Sequence, residues 1–174
     1  GLIQHFKAIA EAVDIPILIY NMPARTGVNL DPPTALELAK VPNIVGVKDS
    51  SGNYDNMQLY LEPIRAGKVK SNFSILSGND ALILWNLQGG GGGGITGISN
   101  VLPETMVAIY NNWAKGDWQE ALRVQDSIRP LRNCMKLGNP NSVVKIAARR
   151  VGQNLGPVRA PFNAVSDGLD EAID

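Results

Sequence analysis

Continuous apolar runs that alternate with amphipathic stretches predict a parallel α/β chain, about half of a (β/α)8 barrel followed by a helical extension. Three features carry that expectation. The runs Ile15–Tyr20 and Asn43–Lys48 show no apolar–polar alternation, as expected of strands covered on both faces. Tyr20 to Lys48 spans 28 residues and Lys48 to Gly78 spans 30, each one βα unit. A barrel of ~250 residues averages roughly 30 per unit, so four such units make half of one. A flavodoxin-like doubly wound sheet satisfies the same spacing. Beyond Pro103 the pattern is wholly helical, which divides the chain into a half-barrel, residues 1–102, and a helical region, 103–174.

Residues 2–13 place Leu2, Ile3, Phe6, Ile9, Ala10 and Val13 at helical intervals, and strand Ile15–Tyr20 follows. Asp31-Pro32-Pro33 opens a helix through Lys40, with Asp31 as N-cap and proline in the first turn. The next elements are strand 43–48, a helix within 54–66, and strand Phe73–Ser77. Asn79 or Asp80 then caps a short helix through Leu87, and a glycine-rich segment leads into a fourth strand near Gly94–Ile98. Helices are expected at 103–115, 117–136 and 140–151, with a Gly/Pro-punctuated tail that ends in a short helix.

Composition excludes several functional classes. Apolar residues make up 44% and charged residues 18%, a globular balance. With 16 basic and 16 acidic residues there is no electrostatic footprint for nucleic acid or an anionic membrane. No apolar stretch is long enough to span a bilayer. One cysteine, Cys134, and one histidine, His5, provide neither a disulfide nor the usual zinc ligands, so no metal is expected. The lone cysteine fits a reducing cytoplasm. The first residues lack both methionine and a signal layout, and read as the interior of a longer protein.

Lys48 is the sharpest anomaly: a lysine closing an apolar strand, at the end where parallel α/β proteins carry their functional face. Held among Ile44, Val45 and Val47, its amine is expected to be partly desolvated and neutral, able to attack a ketone and form an iminium ion. The plainer alternative is a lysine that leaves the strand and pairs with Asp49 or solvent. Tyr20 ends the preceding strand and is expected beside Lys48, either relaying protons or serving as a core tyrosine with a bonded hydroxyl. Arg25 lies just beyond, with a planar fork suited to a carboxylate, although an isolated arginine there is more often a solvated surface residue.

Tyr20-Asn21-Met22-Pro23-Ala24-Arg25-Thr26-Gly27 and Ile44-Val45-Gly46-Val47-Lys48-Asp49-Ser50 resemble segments of the dihydrodipicolinate synthase family. Leu76–Asp80, Ile95–Val101 and Gly156–Pro161 follow in the family's order, so the resemblance runs from residue 1 to about 162. The wider superfamily includes N-acetylneuraminate lyase and 2-keto-3-deoxy-sugar-acid aldolases. The resemblance implies the second half of a TIM barrel and a cytoplasmic homo-oligomer that needs no cofactor. It also implies a Schiff-base condensation of two small molecules, pyruvate and aspartate semialdehyde, in lysine biosynthesis. Lys48 would form the imine, Tyr20 would relay protons and Arg25 would hold the carboxylate of the second substrate. Gly78 and Ile95 would line the pyruvate pocket. Arg25-Thr26-Gly27 favours the synthase branch, whereas Lys48-Asp49-Ser50-Ser51-Gly52 also resembles keto-acid aldolases. A non-catalytic scaffold is the remaining alternative.

The sequence departs from that family in lacking four preceding βα units. They would bring a Gly-Thr-Thr-Gly loop for the pyruvate carboxylate and a second tyrosine that reaches across a dimer interface. Four strands alone leave two open sheet edges, so the chain must pair with a second half, dimerise or belong to a longer polypeptide, and the last is expected. Gly89–Gly94 lacks the spacing of a phosphate-binding loop, and six consecutive glycines exceed what the turn requires. Ser142-Val143-Val144-Lys145 matches a β-lactamase motif without its companions.

Overall fold

A computed structural model describes residues 1–162, which divide into two compact units, Gly1–Ile95 and the residues from Thr96 onward. In the first unit, α1 (Leu2–Ala12), β1 (Ile17–Asn21), α2 (Pro23–Thr26), α3 (Pro32–Leu38) and β2 (Ile44–Asp49) follow one another. Next come α4 (Tyr54–Arg65), β3 (Ser74–Ser77), a 3-10 turn (Asp80–Leu82), α5 (Ile83–Gln88) and β4 (Gly93–Gly94). The caps explain the starts: Asp31 accepts the Thr34 N–H at 2.7 Å, and Asn53 accepts that of Asn56 at 3.1 Å. Asn79, not Asp80, caps the turn before α5. Helix α2 is absent from the sequence reading, because four residues are too few for a periodicity signal.

Among the described residues the sheet has the order β1-β2-β3-β4, with every pairing parallel. Sequential parallel strands joined by helices are half of a (β/α)8 barrel and not the reversed order of a doubly wound sheet. Ile19, Asn21, Val47, Asp49, Ile75 and Ser77 share one face and are all buried. Their apolar members join a core with Leu38, Met57, Tyr60 and Leu61 from α3 and α4. The opposite face carries Leu18, Tyr20, Gly46, Lys48, Ser74 and Leu76. Tyr20 on that face is 50% exposed.

A register shift between Ile17 and Leu18 makes Ile17 pair with Ile44, and Leu18 with Gly46. The extra residue, Val45, is a bulge that puts Ile44 and Val47 on the same, helix-covered face. The expectation that Lys48 is held among Ile44, Val45 and Val47 is therefore corrected. Lys48 points the other way, and its strand neighbours are Tyr20 and Leu76.

The fourth strand is shorter than expected and ends at Gly94 instead of Ile98. Its partner β3 ends at Ser77, so beyond the Ile95 N–H, which donates to the Ser77 carbonyl at 2.9 Å, there is no ladder to extend. The glycines before it answer to their surroundings. A Cβ on Gly91 would stand 2.3 Å from the Asn86 side chain, and one on Gly92 would stand 2.2 Å from Ser74 Oγ. Gly90 and Gly93 have φ of 96° and 141°, a region costly for other residues. Asn86, fully buried, donates to the Ile75 and Gly93 carbonyls at 2.8 Å and so ties the glycine run to β3.

In the second unit a 3-10 turn (Ile98–Asn100) precedes α6 (Pro103–Ala114), α7 (Trp118–Ser127), α8 (Arg129–Cys134) and α9 (Pro140–Arg150). The single helix expected over 117–136 is broken at Ile128. Pro130 has no N–H to donate and its ring crowds the preceding turn, so the helix restarts with proline in the first turn of α8. Val101, Ala147 and Ala148 pack with Leu102, Leu131 and Val144 into a separate small core. Lys145 Nζ donates to the Gly156 and Pro157 carbonyls, which holds the tail against α9. The short helix expected at the C-terminus lies outside the described residues.

Candidate active site

The carboxyl ends of β1, β2 and β3 bring three of the sequence-selected residues together. In the parallel register Tyr20 is the partner of Lys48, and Lys48 is the partner of Leu76. Lys48 Nζ lies 4.1 Å from the centroid of the Tyr20 ring, a cation–π contact worth ~0.5–1 kcal/mol where water has access. That contact holds the ammonium and the phenol on one side of the sheet. The Tyr20 hydroxyl donates to Met22 Sδ at 2.8 Å. A thioether is a weak acceptor, so this bond yields readily to an oxygen of a bound molecule.

Gly78 closes the other flank of Lys48. Its N–H donates to the Asp49 carbonyl at 2.7 Å, which draws the chain after β3 against β2. A Cβ on Gly78 would stand 3.0 Å from Lys48 Cε and 1.8 Å from Ser50 Oγ. The lysine stem and the Ser50 hydroxyl therefore crowd one point, and only hydrogen fits there. Ser50 was not singled out from the sequence, although its position two residues beyond Lys48 was a signal for the same face. Its own N–H donates to the Asn21 carbonyl at 2.8 Å.

Ile95 follows the last residue of β4 and is 45% exposed. Arg25 sits in α2, immediately after β1, and is exposed. The structure records no contact between the Arg25 side chain and Lys48, and among the described residues its guanidinium has no partner. The other two members of its triplet build the turn. Gly27 takes the left-handed conformation at φ 71°, with its N–H on the Pro23 carbonyl at 2.9 Å. Thr26 Oγ1 donates to the Val28 carbonyl at 2.9 Å and accepts the Val28 N–H at 3.3 Å.

Asp49 does not pair with Lys48, because strand alternation sends the two side chains to opposite faces. Its carboxylate is buried and accepts from Asn21 Nδ2 at 2.8 Å and from Ser51 Oγ at 2.7 Å. Beneath it the Tyr60 hydroxyl donates to the Leu30 carbonyl. Burial pushes the Tyr60 phenol up to about 12, with the negative charges of Asp49 and Asp31 adding to the effect. Neither Asn21 nor Asp49 was selected as functional from the sequence, since each spells an ordinary strand-end polar residue.

The model of the dihydrodipicolinate synthetase family matches residues 1–173. The chain belongs to that family. A relative from Methanosphaerula palustris, a 4-hydroxy-tetrahydrodipicolinate synthase, is 39% identical over 163 residues, which cover 94% of this chain and 54% of the relative. Two solved structures give the same picture. Dihydrodipicolinate synthase of Thermotoga maritima superposes with a TM-score of 0.91 at 31% identity, covering 99% of this chain and 58% of its own. The chloride-inhibited dihydrodipicolinate synthase of Acinetobacter baumannii, complexed with pyruvate, superposes with a TM-score of 0.90 at 31% identity, covering 99% and 58%. The chain thus spans little more than half the length of the family members it matches. In this chain Lys48 stands near the carboxyl end of the second of the four strands described.

Proposed function

We propose that the protein carrying this chain is a 4-hydroxy-tetrahydrodipicolinate synthase and that Lys48 is its Schiff-base lysine. The single observation that carries the reading is the placement of Lys48 Nζ over the Tyr20 ring, on the open face of the sheet. The Lys48 amine adds to the pyruvate carbonyl to give a carbinolamine, which loses water to form the iminium ion. Tyr20 moves the protons that this addition and dehydration require. The iminium withdraws electrons from the methyl carbon, which loses a proton to become an enamine. The enamine carbon then attacks the aldehyde of aspartate semialdehyde. Because the iminium itself is the electron sink, the chemistry calls for no separate cofactor.

In this reading Arg25 holds the carboxylate of the second substrate with a two-point fork. Gly78 and Ile95 line the pyruvate pocket, the first because its missing side chain leaves room beside Lys48. A cytoplasmic homo-oligomer belongs to the same proposal, and the rest of the barrel in the longer protein supplies the wall that this half leaves open.

One observation favours a second reading, retro-aldol cleavage of a 2-keto-3-deoxy sugar acid. The Ser50 hydroxyl beside Lys48 suits a hydroxylated substrate chain. Borohydride reduction of the full-length protein with pyruvate tests the shared step and is expected to add a stable mass to the peptide containing Lys48. A folded protein that acquires no adduct there refutes both readings. Condensation of aspartate semialdehyde against cleavage of keto-deoxy sugar acids then separates them.

A further inference from the structure

We infer that Asn21 is a positioning residue that locks the Arg25-bearing loop to the strand end that presents Lys48. The inference rests on the roles proposed for those two residues. Asn21 is 3% exposed, and its carboxamide is fully used. Nδ2 donates to Asp49 Oδ1 at 2.8 Å and to Asn29 Oδ1 at 2.9 Å, while Oδ1 accepts the Leu30 N–H at 2.9 Å. Its backbone carbonyl accepts the Ser50 N–H. One side chain at the end of β1 thus grips the end of β2 and the far end of the loop that begins at Met22.

The chemistry calls for an amide at this position. Asp49 is a buried carboxylate that needs donors, and the Leu30 N–H is a buried donor that needs an acceptor. A carboxamide satisfies both at once, which an ionised carboxylate or an apolar side chain does not. The Asp49 second oxygen is taken by Ser51, so the Asn21 bond is its link to β1. Tyr60 clamps the same Leu30 residue through its carbonyl, and Asn29 reaches Asn56 of α4 at 3.5 Å. Residues 22–30 are therefore fastened where they leave β1 and again where they return beside it. Arg25 sits within that closed span on the turn built by Thr26 and Gly27, so the Asn21 bonds fix where the backbone that carries Arg25 stands relative to the strand end of Lys48.

The test is a pair of substitutions in the full-length protein, read by steady-state kinetics with aspartate semialdehyde and by borohydride trapping with pyruvate. Asn21→Asp faces Asp49 with a second buried carboxylate and breaks the link. It is expected to raise the KM for the aldehyde by about tenfold, in line with the sensitivity of catalysis to substrate misplacement. Trapping of pyruvate at Lys48 should stay within about threefold of the unsubstituted protein, since the Asn21 side chain bonds neither Lys48 nor Tyr20, the two residues given to imine formation. The exchange Asn21→Asp with Asp49→Asn restores a donor facing an acceptor and is expected to return the aldehyde KM to within about threefold. Should Asn21→Asp not fold, Asn29→Ala removes one outer bond of the same hub and is expected to raise that KM by about threefold.

An unchanged aldehyde KM in folded Asn21→Asp, or an exchange that folds but stays as impaired as the single variant, overturns the positioning role while leaving the function intact. Equal loss of trapping and condensation also overturns it, because that marks a general structural role. A folded, unsubstituted protein that traps no pyruvate overturns the proposed function, and the positioning role with it.

Discussion

Gly78→Ala is the most direct perturbation of the candidate site. The added Cβ would stand 1.8 Å from Ser50 Oγ, 2.9 Å from Ser50 Cβ and 3.0 Å from Lys48 Cε. Carbon atoms in good contact lie ~3.5–4.0 Å apart, so both neighbours must retreat by roughly half an ångström or more. The Ser50 hydroxyl can rotate away, but its Cβ is fixed close to the backbone and the lysine stem must move. Overpacking of this kind costs about 1–3 kcal/mol of stability. The effect on chemistry is expected to be larger, because displacing a reacting group by about 1 Å costs on the order of 100-fold in rate. Pyruvate trapping by borohydride, followed by mass analysis of the Lys48 peptide, reads it directly, and chemical denaturation gives the stability. Gly78→Ala combined with Ser50→Ala removes the worst overlap and should recover part of the rate. A folded Gly78→Ala protein that traps pyruvate as fast as the unsubstituted one refutes the claim that Gly78 sets the position of Lys48.

Tyr60→Phe removes the hydrogen bond to the Leu30 carbonyl and is expected to cost ~0.5–1.5 kcal/mol by urea denaturation. Folding raises the Tyr60 phenol from 10.0 to about 12. Between those values the unfolded chain loses the proton before the folded one does, so stability is full below pH 10 and falls as pH rises through 12. Tyr60→Phe should flatten that fall, and an unaltered slope contradicts the assignment. Gly91→Ala drives a methyl into the fully buried Asn86 side chain and is expected to destabilise by about 1–3 kcal/mol, measurable as a lower denaturation midpoint. Asp117→Ala removes the acceptor of the Glu120 N–H at the start of α7, a loss of ~1 kcal/mol that circular dichroism should detect.

Much of the first unit was legible because its signals are local. Asp31 caps its helix through a bond to the residue three positions on, and apolar runs at βα spacing mark β1 and β2. The pairing of Tyr20 with Lys48 follows from two neighbouring strands that end level with each other. The break between α7 and α8 was also local, written in Pro130, but helical periodicity continues through it and hid it.

Lys48 shows where the sequence stops. Its position at the end of an apolar strand, and the family to which its surroundings belong, are properties of the chain alone. The side of the sheet to which it turns is not, because the Val45 bulge shifts the register and a shift of one residue reverses every side chain after it. The buried link from Asn21 to Asp49 joins residues 28 apart, and only folding brings a lone amide to a lone carboxylate. The crowding of Ser50 and Lys48 against Gly78 likewise depends on two strands meeting at one height, and no local pattern of residues encodes that distance.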